Sequence, residues 1–193
     1  MTKTRLEAFS DGVLAIIITI MVLEIKVPHG TDWNELIKLL PVFFSYVISF
    51  LLVGIYWGNH HHLLHTLKHV NSPIILSNLN LLFWLSLVPF ATGWMGENHF
   101  APNTIIVYSI LLICCGLSYA ILQNIIIKSG LAQSEFTDAL KKQNMKVLIS
   151  FAADLIAIPM AYVNPVISGV LLALQSLIWL IPDKNIEKTL PNK

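Results

Sequence analysis

A chain of 193 residues with 55% hydrophobic and only 12% charged residues carries far less charge than an ordinary soluble domain, for which roughly 25% is usual. That balance excludes disorder, collagen-like repeats and a solvated coiled coil, and argues against a soluble globule. The formal net charge of +1 gives no electrostatic footprint for nucleic acid.

Six apolar segments follow one another, most of them near the ~20 residues that a membrane-crossing helix needs. They run over about 6–27, 36–57, 74–95, 104–127, 145–163 and 165–181. Each is continuously apolar, whereas barrel strands would alternate over about 10 residues. The first stops at Pro28 and the last at Pro182. Pro89 and Pro159 are candidate helix breaks inside segments. Only Asn164 and Pro165 separate the fifth segment from the sixth, which predicts a tight helical hairpin. The polar connection over 128–144 is expected to be helical in part. No small-residue cleavage site follows the first segment, so it is expected to be retained. Cys114 and Cys115 are adjacent in an apolar run and read as small core residues, with neither a disulfide nor a zinc motif. The expectation is an all-α integral membrane protein, one six-helix domain over 1–193.

The basic residues orient it. Grouping both termini with the second–third and fourth–fifth connections puts ten Lys and Arg on one side and leaves Lys26 and Lys38 on the other. The positive-inside rule then predicts cytoplasmic termini. Trp33, Trp57, Trp94 and Trp179 fall near segment ends, where interfacial aromatics belong.

The first segment carries the most information. At about 100° per residue, Phe9, Gly12, Ile16, Ile20, Leu23 and Val27 share one stripe, with Thr19 at its edge. Ser10 and Asp11 project to other faces. Such a stripe is either packing or lipid-facing surface, or a ring of branched side chains that closes a pore by dewetting.

The sequence Arg5-x-x-x-Phe9-Ser10-Asp11, with Gly12, Ala15, the Ile run, Thr19, Leu23 and Pro28 after it, resembles the first helix of the transmembrane protein 175 potassium channel family. The segment count, the His-rich stretch from Tyr56 to His65 and the length extend the resemblance over the whole chain. It implies a cation channel favouring potassium, without a TVGYG filter, in the cell membrane of a prokaryote. It also implies a homotetramer of single six-helix units with the first helices around a central pore. Ile16 maps to the narrow hydrophobic constriction and Thr19 to the selectivity element, with Ile20 and Leu23 as further lining. Permeant potassium and other monovalent cations, membrane lipid and further copies of the chain are then the partners, with no cofactor and no nucleic acid. Thr92-Gly93-Trp94-Met95-Gly96 is only superficially like a filter and is expected to end a helix. Four Thr19 hydroxyls are a weaker device than a carbonyl cage, so modest selectivity is expected.

Three acids lie in or near the apolar segments. Asp11 is expected in a cytoplasmic-end network with Arg5, His61 or His62, Asn78 and Trp84, serving to hold the pore helix. Glu24 is either an interfacial charge near Lys26 or a weak cation attractor at the outer mouth. Asp154 lies mid-segment, where a charge costs about 2.5–3.5 kcal/mol on insertion scales. It needs a partner, a proton or a water pocket, and a structural polar network is preferred to an ion relay. His60, His61, His62, His65 and His69 include i,i+4 pairs that suit zinc, but a structural or interfacial role is preferred, and no metal site is expected. No catalytic motif is present, so the protein is not expected to be an enzyme. Two rivals remain: a secondary transporter, and a small metal-dependent membrane enzyme built on the histidines.

Overall fold

The computed structural model describes residues 2–129 and 144–180, and among these every regular element is a helix. Helix α1 spans Lys3–Leu23 and opens on Thr2, whose hydroxyl accepts from the Arg5 amide at 3.4 Å. That bond satisfies one of the orphan N–H groups of a helix start. The helix stops at Leu23, short of the expected position 27. Val27 precedes Pro28, which disfavours helical backbone at the residue before it.

The second apolar segment divides into a short α2, Trp33–Lys38, and a long α3, Leu40–His65. Pro41 has no N–H, and its ring would clash with the Ile37 carbonyl in a continuous helix. At its other end α3 runs eight residues past Trp57, because the polar histidine stretch stays helical. Pro89 similarly divides the third segment into α4, Ser72–Ser86, and α5, Val88–Glu97. Helix α6 is Pro102–Lys128, α7 is Asn144–Val163 and α8 is Pro165–Leu180. Pro159 lies inside α7 without ending it, unlike Pro89. The 130–143 part of the connection expected to be partly helical lies outside the described residues.

The helices pack as a bundle in which α1 leans on α3, α4 and α5. Helix α4 also packs on α6, α3 on α5, and α6 on α7. The expected hairpin is present: the Asn164 side chain caps α8 by accepting from Val166 and Ile167 N–H, and Ser168 donates to the Ala157 carbonyl at 2.7 Å. Helix contacts rely on small and hydroxyl-bearing residues, as is usual where lipid removes the hydrophobic drive between helices. The Thr92 hydroxyl lies 2.7 Å from Ser49 Oγ, which lies 2.8 Å from the Tyr108 hydroxyl. At Gly96 a Cβ would come within 2.6 Å of the Val42 Cα, so α3 and α5 meet only because that position is glycine.

Four stretches are long and apolar enough to cross a bilayer: Lys3–Leu23, Leu40–His65, Ser72–Glu97 and Pro102–Lys128. The shortest has 21 residues, about 32 Å of helix against a hydrocarbon core of about 30 Å. Two shorter apolar helices, Leu148–Val163 and Pro165–Leu177, accompany them. Large apolar side chains such as Phe44, Phe83, Phe90 and Ile156 stand exposed around the bundle, which suits a lipid solvent.

Candidate functional site

The two sides of α1 differ sharply. Leu6, Ser10, Leu14, Ile17 and Met21 are buried against the neighbouring helices. The opposite stripe stands free in the protomer, with Phe9 50%, Ile16 58%, Ile20 43% and Leu23 76% exposed. Gly12 and Thr19 are exposed with them, and nothing lies within 4 Å of a Cβ built at Gly12. Val27, expected at the end of this stripe, is exposed in the connection beyond the helix.

Thr19 has a particular geometry. Its hydroxyl donates to the Ile16 carbonyl at 2.9 Å. The proton is turned back onto the helix, so the oxygen lone pairs are left for an outside donor or a cation.

Beside this stripe, Val13, Ile16, Ile17 and Ile20 form one wall of a groove of about 560 Å³, faced by Pro89, Phe90, Gly93 and Trp94 of α5. Glu24 and Glu97 stand at its end. The Glu24 carboxylate rests against Gly93, where a Cβ would lie 2.9 Å from Oε2. Lys26 pairs with Glu97, not with the nearer-in-sequence Glu24. The hydrogen bond to Glu97 pushes the Lys26 pKa up from its usual value. Residues Thr92 to Gly96 lie within helical α5, consistent with the expectation that they are no re-entrant loop.

The polar network at the start of α1 has different members from those expected. Ser10 is fully buried; its hydroxyl donates to the Leu6 carbonyl at 2.8 Å and accepts from Asn78 Nδ2 at 2.9 Å. The Asn78 carbonyl oxygen in turn lies 2.6 Å from His60 Nε2, which donates to it. Asp11 instead accepts from the Trp57 indole at 2.9 Å. Asn78 is therefore bonded to Ser10 and not to Asp11, and the participating histidine is His60 and not His61 or His62. His61 stacks on His65 with ring centroids 6.1 Å apart, and Trp84 packs edge-on against Phe83. The Arg5 side chain makes no ion pair among the described residues. A further tie comes from Lys3, which donates to the His65 carbonyl at 2.8 Å and so caps the C-terminus of α3.

The sequence does not mark His60 and Trp57 as the partners, for a physical reason. Both lie on the same face of α3 at i,i+3 spacing. A helix as uniformly apolar as α3 gives little sequence signal for which face meets α1. The histidines do not converge either: among the described residues no three His, Cys, Asp or Glu side chains come together as a metal site. Cys115 is buried, Cys114 half-buried, and both are free thiols.

The family model for the endosomal/lysosomal potassium channel TMEM175 matches residues 5–89, from the motif arginine to the start of α5. A potassium channel of Chryseobacterium sp. (strain P1-3) is 52% identical over 190 residues, covering 98% of this chain and 98% of that protein. The endosomal/lysosomal proton channel TMEM175 of Homo sapiens is 40% identical over 96 residues, 43% of this chain and 19% of that protein. The crystal structure of a lysosomal potassium-selective channel TMEM175 homologue from Chamaesiphon minutus superposes with a TM-score of 0.79 at 26% identity, over 93% of this chain and 96% of that one. With the apolar spans, these similarities place the chain among multi-pass membrane proteins.

Proposed function

The chain belongs to the TMEM175 family, and on that premise we propose that it is a passive, potassium-favouring cation channel whose pore is lined by α1. The supporting observation is the exposed stripe Phe9–Gly12–Ile16–Thr19–Ile20–Leu23 on a helix whose other side is anchored. Four copies around an axis bring the stripes together, so the chain acts as a homotetramer. Each subunit crosses the membrane six times, α7 and α8 supplying the last two passes, with both termini cytoplasmic.

In that assembly Ile16 forms the narrow constriction. Four branched side chains in a tight ring exclude water, and a cation cannot pass without its hydration. Ile20 and Leu23 make looser rings further out. Thr19 supplies acceptor oxygens one turn from the constriction, since its proton is held by the Ile16 carbonyl. Those lone pairs replace part of the hydration of a large, weakly hydrated ion more easily than that of a small one. The Ser10–Asn78–His60 chain and the Asp11–Trp57 bond fix the rotation of α1, and so fix which residues face the axis. No cofactor enters this reading, and the protein is not an enzyme.

The test is reconstitution in a planar bilayer under a potassium/sodium gradient, wild type beside Ile16→Asn. Currents reversing toward the potassium potential, and raised about tenfold or more by the mutation, are expected; tenfold corresponds to about 1.4 kcal/mol of barrier. Equal currents from both proteins remove Ile16 as the gate. A proton gradient imposed in the same bilayer tests whether protons share the path. The interrupted span at Leu87 favours coupled transport, where broken helices are common. Saturable flux coupled to a second ion would support that reading instead.

A further inference from the structure

A second cavity, of about 280 Å³, lies away from α1, between α3, α6, α7 and α8. Its walls are apolar and include Leu52, Ile55, Leu112 and Phe151. Two rim residues, Leu117 and Leu148, are exposed, so the cavity opens on the side of the bundle. Its polar lining includes the hydroxyls of Tyr56, Tyr119, Ser150 and Ser176, the Asn59 amide, and two nearly buried side chains, Asp154, 3% exposed, and Gln175, 5% exposed. The last two hydrogen-bond to each other, yet Asp154 Oδ1 and Gln175 Oε1 have no donor from the protein.

An acceptor left unpaired in such a place loses its hydration without compensation, at a greater cost for a charged group. The local hydroxyls do not relieve it. Ser176 donates to the Leu172 carbonyl and Tyr119 to the Asn59 carbonyl. What these two oxygens lack is a donor, and beside a carboxylate a positively charged donor is favoured. The walls ask for an apolar body. A hydrated inorganic cation would leave them unused, and a quaternary ammonium has no N–H to give.

We propose that this cavity binds a protonated primary amine carried on a small apolar body, its ammonium donating to Asp154 Oδ1 and Gln175 Oε1. The ring or chain fills the space between α3 and α6, and entry is lateral, past Leu117 and Leu148. Gly116 leaves room there: a Cβ at that position meets only the Tyr56 hydroxyl, at 3.9 Å. The site shares no lining residue with α1 and does not depend on the conduction reading.

The experiment is a ¹⁹F NMR titration of the full chain in lipid nanodiscs with 4-fluorophenethylamine, corrected for partitioning into empty nanodiscs. Saturable binding of one amine per chain is expected. The matched alcohol, 4-fluorophenethyl alcohol, is expected to bind at least tenfold more weakly. Asp154→Asn is expected to weaken the amine at least tenfold. Gly116→Leu, which keeps the carboxylate and fills the cavity, is expected to abolish binding; it also decides the matter if Asp154→Asn fails to fold. Size-exclusion profiles and helical circular dichroism check that each variant is folded. Binding no stronger than partitioning, equal binding of alcohol and amine, or unchanged binding in folded Gly116→Leu would overturn the proposal.

Discussion

The two sides of α1 are built from similar residues and placed in opposite surroundings. Leu14 and Ile17 are sealed against α3, α4 and α5, while Ile16 and Ile20, one to three residues away, stand free. Ser10 is buried and bonded, while Thr19 is exposed and bonded only to its own helix. In the proposed channel, apolar character therefore does not distinguish support from pore lining on this helix. What separates them is whether a neighbour within the same chain covers the side chain. Substitutions on the covered side should therefore be read in stability, and those on the open side in conduction.

The largest expected effect is on the covered side. Leu14 is fully buried, and Leu14→Ala should cost about 2–5 kcal/mol through lost contacts and the cavity left behind. A thermal unfolding curve in detergent checks this; a midpoint equal to wild type would break the comparison. Next comes Asn78→Ala, which leaves the buried His60 Nε2 without its acceptor and Ser10 with only its bond to the Leu6 carbonyl, and should cost about 1–3 kcal/mol. Ser10→Ala in the same background should then add little, because the pair is already broken, and a fully additive double mutant would argue against a connected network. The smallest effect is on the open side. Thr19→Val keeps the shape and removes the oxygen, so the unfolding midpoint should stay within about 0.5 kcal/mol of wild type. Only the potassium/sodium reversal potential should shift, toward zero, and unaltered reversal potentials would mean that the hydroxyl does not select.

Much of this was legible in the sequence, and the failures have common causes. The faces of α1 follow from its period, because Ser10 and Asp11 interrupt an otherwise apolar run. Pro165 and Asn164 predict the hairpin through local chemistry, a missing N–H and a capping side chain. Helix ends defined by polarity were misplaced where polarity and helicity part company. His60, His61, His62 and His65 are polar yet helical, and Val27 is apolar yet outside the helix. The membership of the polar network needed the rotation of α3 about its axis, which only packing sets. The sequence points to Asn78 as a member but to Asp11, not Ser10, as its partner. The Asp154–Gln175 contact joins α7 to α8 across the hairpin, and nothing in the spacing of the two residues marks it.

The Asp11–Trp57 bond has an optical consequence. An indole whose N–H is held by a carboxylate emits differently from one released to solvent, and this indole sits on α3 while its acceptor sits on α1. In the proposed channel, any turn of α1 that swings Ile16 off the pore axis must stretch or break that bond. With the remaining tryptophans replaced by phenylalanine, the emission of Trp57 becomes a native gauge of the helix's angular position, read without a label while ions flow.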